Sequence, residues 1–277
     1  MWGSITSEIR KIFTTKLWWG MGIGMAVAAF LLSMAGASFL GLTNPDGSSA
    51  GFDEMTPALG QMIYTAGLLG NFGSLSALFP LALGVLLITT EYRHKTATAT
   101  YLATPRRWVV AVAKTLAVVV VGAVLGLVHV IASVGGGALV LTLFKDGAPL
   151  LLDNSEVLSS LGTSVVATIV WTLIGFGFGM LVRNQIAAVL LAVAFGFLGQ
   201  LILNIAFGLL GWTTASKFIP GNLTTGMLVT GDPTNGTMTA GAESPYFTWW
   251  VCALILIGYA AALTVVGSFL SNRKDIS

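Results

Sequence analysis

Six long apolar runs, separated by short charged or turn-rich stretches, set the pattern of this chain. Residues 17–45, 55–90, 115–144, 157–182, 184–216 and 244–272 contain no Asp, Glu, Lys or Arg. A helix crosses hydrocarbon with about 20 apolar residues, so each run has room for one crossing and none comfortably for two. The predicted spans lie near 17–41, 66–90, 115–143, 158–182, 186–210 and 247–270. Apolarity is continuous rather than alternating, which argues against strands. Ahead of the first span, Trp2, Ile5, Ile9, Phe13 and Leu17 recur at three- and four-residue steps, the period of one helix face. Glu8, Arg10 and Lys11 lie off that stripe, so residues 1–16 are predicted to form an amphipathic helix in the membrane interface. The alternatives are a frayed terminus, or a signal peptide with Ala35-Gly36-Ala37 as its cleavage site.

Composition agrees with this pattern. The chain has 277 residues, 55% hydrophobic and 9% charged, against roughly 25% charged in a soluble domain. We read residues 1–277 as one transmembrane domain of an all-α membrane protein. Lysine and arginine set the expected orientation. With both termini cytoplasmic, Arg10, Lys11, Lys16, Arg93, Lys95, Arg106, Arg107, Lys114, Arg183, Arg273 and Lys274 fall inside, and Lys145 and Lys217 fall outside. Eight of the 11 acids then lie outside. The segment 211–246 becomes a long external loop, rich in Gly and Thr, with an apolar patch at Leu223–Val229 that suits a short re-entrant or surface helix. The expected location is the plasma membrane.

Candidate chemistry is sparse. Cys252 is the one cysteine and cannot form an internal disulfide, and no Cys/His cluster has zinc spacing. No glycine directly precedes a lysine, so the Walker A string is missing; HExxH is missing too. No catalytic, cofactor or metal residue is assigned, and no nucleic-acid contact is expected. Within the spans, Pro80 should kink the second helix, and Asn71 is polar in its outer half. His129, with Ser133 one turn later, is either a proton-relay or ligand contact or simply hydrogen-bonded to a neighbouring helix. Phe197, Gln200, Asn204 and Phe207 sit where a regular helix would share one face. That face suits amphipathic molecules or a helix–helix contact equally. Gly20/Gly24, Gly122/Gly126 and Gly175/Gly179 have GxxxG spacing. Arg183-Asn184-Gln185 joins the fourth and fifth spans as a tight antiparallel turn.

The densest charge lies in residues 91–114, between the second and third spans. Tyr92, Thr96, Ala99 and Leu102 fit one face of a short helix, and Thr104 can cap another that begins at Pro105. The loop exceeds what a simple helical connection requires. It resembles the corresponding loop of the permease subunits of type-2 ABC exporters: an acid, a base, a short coupling helix, then leucine, proline, basic residues and a lysine. The matching residues are Glu91, Arg93, Leu102, Pro105, Arg106, Arg107 and Lys114, with Lys95 where the family often has glycine. The layout of interfacial helix, six crossings and external loop is similar as well.

That resemblance implies a non-catalytic subunit whose ATP and Mg sit on partner chains. Two cytosolic ABC ATPases would act through a cytoplasmic coupling helix, with Glu91, Tyr92, Arg93, Lys95, Thr96, Leu102, Pro105, Arg106 and Arg107 as the contact. A second copy or a homologous permease would complete the path, in contact with membrane lipid. In the family the second and fifth crossings line that path, which points to Asn71, Gln200 and Asn204, together with Phe197 on the same predicted face. The cargo would be a hydrophobic or amphipathic drug, lipid or peptide moved outward. Two other classes remain open: a self-sufficient channel or secondary carrier, and an integral membrane lipid-modifying enzyme.

Overall fold

The computed structural model of the chain describes residues 2–42, 51–69, 74–93, 107–182, 184–229 and 246–274. Among them the secondary structure is helical, apart from one isolated bridge between Leu40 and Phe52. Six helices are long and apolar enough to cross a membrane. An amphipathic helix, α1 (Trp2–Thr14), precedes them. Then come α2 (Leu17–Ser38), a short α3 (Pro57–Thr65), α4 (Leu78–Arg93), α5 (Arg107–Phe144) and α6 (Ser155–Leu181). The fifth crossing, α7 (Gln185–Leu209), is followed by a buried short helix α8 (Pro220–Leu228) and the last crossing α9 (Trp249–Lys274).

Local chemistry sets several boundaries. Thr56 accepts a hydrogen bond from the Leu59 amide at 3.2 Å, with Pro57 in the first position of α3. Asn154 accepts from the amides of Glu156 and Val157 at the start of α6. Asn184 does the same for Ile186 and Ala187, which lets α7 begin three residues after α6 ends.

Two spans differ from expectation. The second was placed at 66–90 with a kink at Pro80. Instead α3 stops at Thr65, a turn follows, and a 3-10 turn at Leu75–Ala77 leads into α4. Pro80 is the third residue of α4, so its missing N–H falls in the first turn, where no helical partner is required. Gly67 makes the break possible: its carbonyl accepts from the Ser76 amide at 2.9 Å, and a Cβ there would press on the Ser76 side chain. The third span, near 115–143 by charge-free length but with Arg106, Arg107 and Trp108 expected to anchor its start, runs in α5 from Arg107 for 38 residues. At about 1.5 Å per residue this rod is about 57 Å long, against about 30 Å of hydrocarbon. Lys114 therefore lies within a helix that continues past the membrane core.

The bundle is organised around α6, the most buried of the six. It packs on α4, α5 and α9, with α2 against the far side of α5. Glycine permits these contacts. A Cβ at Gly122 or Gly126 of α5 would come within 2.9 Å of Ile169 Cα or 2.8 Å of Val165 Cα in α6. On the other side of α6, Gly175 faces the Leu81 carbonyl of α4, and Gly84 of α4 faces the Thr172 carbonyl. Trp171 and Phe176 of α6 are buried in the core so formed. Gly20 and Gly258 meet nothing within 4 Å. In hydrocarbon, where helices lack a hydrophobic drive to associate, such close backbone approach supplies the packing energy.

Gly175→Val should lower the thermal stability of the detergent-purified protein by about 1–3 kcal/mol, the usual range for overpacking. Gly20→Val should leave the melting temperature within error of the parent. Equal melting for both variants would contradict the glycine contacts.

Candidate functional site

At one end of the bundle, α1, the end of α4 and the start of α5 converge on a buried ion network. Lys114 of α5 donates from Nζ to Glu8 Oε2 of α1 at 3.1 Å, and to Glu91 Oε1 of α4. Glu8 Oε1 accepts from Lys11 at 2.7 Å. Glu8 and Lys114 are buried at 7% and 8% exposure. Hydrogen bonds between ionised groups are among the stronger ones, and buried ions survive only when paired. The network therefore ties three segments distant in sequence into one corner.

The placement of Glu8 is a correction. The periodicity put Glu8 off the apolar stripe of α1, toward headgroups. In the structure Glu8 is buried with Ile12, while Arg10 and Lys11 are exposed. Lys114 turns this acid inward, so the inner face of α1 is part apolar and part ionic. A single acid among the bases of residues 1–16 was the available signal.

The expected coupling residues divide between described and undescribed positions. Glu91 belongs to the network. Tyr92 packs beside Ile88 and Phe176. Arg93, exposed at the end of α4, donates from Nη1 to Gln185 Oε1 of α7 at 3.3 Å. Arg107 heads α5. Lys95, Thr96, Leu102, Pro105 and Arg106 lie outside the described residues, as does the proposed short helix. The loop nonetheless has a defined base, since both its flanks are held through Lys114.

The expected path residues are not on one face. Asn71 lies outside the described residues. In α7 the segment Phe195–Gly199 is π-helical. The wider turn inserts a residue and breaks the 3.6-residue register that placed Phe197 with Gln200 and Asn204. Phe197 is 40% exposed, whereas Gln200 is 6% exposed. Gln200 Nε2 donates to the Gly196 carbonyl at 2.6 Å. Asn204 Nδ2 donates to the Gln200 carbonyl at 3.0 Å, and Asn204 Oδ1 accepts from Asn222 Nδ2 at 2.8 Å. Gln200 thus braces α7, and Asn204 ties it to Asn222 in the first turn of α8.

Phe207 of the predicted face, unlike Phe197, borders open space. Phe195, Leu203 and Phe207 line a cavity of about 550 Å³, opposite Trp171 and Phe178 of α6 and Tyr259 of α9. Phe178 and Phe195 have ring centroids 5.7 Å apart. The far end is closed by α8, which Ser160 holds through the Leu228 carbonyl at 2.7 Å and Trp171 through Thr224 at 3.1 Å. Phe195 lies at the start of the π segment, so a regular periodicity picked out Phe207 and missed Phe195. His129 is buried, and neither ring nitrogen has a hydrogen-bond partner among the described residues.

Lys114→Met should destabilise the protein by about 3–5 kcal/mol, because buried Glu8 and half-buried Glu91 lose their shared cation. The triple variant Glu8→Gln/Lys114→Met/Glu91→Gln should recover much of that loss in thermal melts, since no unpaired charge remains. A triple variant no more stable than Lys114→Met would mean that the network contributes through packing rather than charge.

No protein-family model matches this chain, and no curated protein is significantly similar to it.

Proposed function

We propose that this chain is the permease subunit of an ATP-driven exporter, moved by two separate cytosolic ATPases and paired with a second copy or a related permease. The supporting observation is the Lys114 network, which braces α1, α4 and α5 at the base of the basic segment 94–106. A partner pressing on that segment would act on the ends of two long helices. On this reading the braced end is cytoplasmic, as the lysine and arginine asymmetry requires. Binding or hydrolysis of ATP on the partner would favour one of two arrangements of the bundle, the requirement for any ligand-driven shift. The cargo would be hydrophobic or amphipathic, in keeping with the aromatic cavity between α6, α7 and α9.

Arg93 is the best probe of coupling, because it is exposed, adjoins the basic segment and lies outside the ion network. Arg93→Glu should lower cargo-stimulated ATP hydrolysis by at least about fivefold, the low end of typical coupling, while the assembly still forms on size-exclusion chromatography. Unchanged stimulation would count against the coupling role. Cysteine labelling in intact cells should protect Arg10→Cys and modify Asp53→Cys. The opposite pattern would reverse the orientation and remove the reading. Transport by vesicles holding this chain alone would favour a self-sufficient carrier.

A further inference from the structure

The ion network also forms one wall of a second cavity, of about 390 Å³, between α1, α4, α5 and α6. Its other walls are mostly apolar, with Ile12, Leu86, Leu87, Val118 and Phe176, and Thr15 and Thr90 add two hydroxyls. A charged corner and an aliphatic chamber are thus joined in one space at the end of the bundle.

The charge in that corner is uneven. Glu8 and Glu91 supply two carboxylates, and Lys114 supplies one ammonium between them. The fourth member, Lys11, stands at the rim with its side chain 46% exposed, where water solvates it. Lys11 is nonetheless paired with Glu8 at 2.7 Å, so Glu8 draws on two ammoniums while Glu91 only shares Lys114. The shortfall has an address: Glu91 Oε2 is buried and lacks a hydrogen-bond donor among the described residues. A buried carboxylate oxygen without a donor is costly.

We propose that this cavity binds a single-chain amphiphile with a primary ammonium head, the head on Glu91 Oε2 and the alkyl tail along Leu86, Leu87, Val118 and Phe176. The head supplies the N–H donor that Glu91 Oε2 lacks, and brings a positive charge to the acid that only shares its cation. A quaternary ammonium supplies the charge without the donor. A fatty acid brings a second negative charge. Selectivity should therefore run from primary amine, through quaternary ammonium, to carboxylate. As a loading site for exported cargo the cavity rests on the permease reading; as a binding site it does not.

The test uses the full chain in phosphatidylcholine nanodiscs without an ATPase. The probe is hexadecylamine carrying a diazirine on its chain, with adducts mapped by peptide mass spectrometry. Adducts should fall on residues 86–91 or 114–118 of the sequence. Unlabelled hexadecylamine should compete best, hexadecyltrimethylammonium less well and palmitate least. Glu91→Gln should cut labelling about tenfold, the loss of one charge-assisted hydrogen bond. Leu87→Trp should cut it comparably by filling the chamber while leaving the ion network intact. The proposal is overturned if palmitate competes as well as the amine, if adducts spread over the outer faces of the bundle, or if both variants label at full strength. Selective binding without stimulation of a partner ATPase would uphold the site and sink the permease reading instead.

Discussion

One ammonium group, that of Lys114, holds together the end of the molecule on which the functional reading depends. Its helix, α5, starts beside the basic segment, and its two carboxylate partners come from the interfacial helix and from the last turn of α4. Without Lys114 the acids would repel each other, and α1 would be held to the bundle only by the apolar packing of Ile9, Ile12 and Phe13. A buried ion pair of this kind is not an efficient source of stability, because desolvation offsets most of the attraction. Its contribution is to fix position: buried Glu8 and half-buried Glu91 both sit where Lys114 can reach them. That requirement sets the angle at which α1 lies against α4 and α5.

Periodicity and charge-free length were enough to locate most of the helices. Four of the six spans fall within a few residues of their expected places, because about 20 uncharged residues leave little choice in hydrocarbon. The second span was less legible. Its apolar run is continuous through Ala66 and Leu69, and hydropathy cannot separate a membrane helix from a short outer helix, a turn and a second start. Gly67, with Ser76 pressed against it, marks the break. The third span was drawn too short for the opposite reason. Lys114 was read as a boundary, yet a paired lysine can continue a helix that an unpaired one would end.

The candidate site was legible in part. Glu91, Arg93 and Lys114 stood out by charge and now share a corner with Glu8, which the helix stripe had assigned to the wrong side. Burial of an acid depends on a cation 106 positions away, and no local pattern carries that information. The face drawn through Phe197, Gln200 and Asn204 does not form, for a geometric reason. Phe197, Gln200 and Asn204 share a face only if α7 is regular, and its π segment turns Phe197 toward the surroundings while keeping Gln200 inside.

The glycine contacts described above also decide which parts of the molecule can shift. Where α4 and α5 cross α6, main chain meets main chain with no side chain between them to change rotamer. Slipping either helix by one residue would drive a side chain into a carbonyl. These three helices must then travel as a single block, α1 riding with them on its ionic tether. Gly177 of α6 and Gly267 of α9 bring α9 just as close to α6, so α9 moves with the block; freedom is left to α7, which meets α6 across aromatic rings and an open chamber. Any alternation between two shapes would be borne by that softer flank, with the glycine-welded core as its fixed frame.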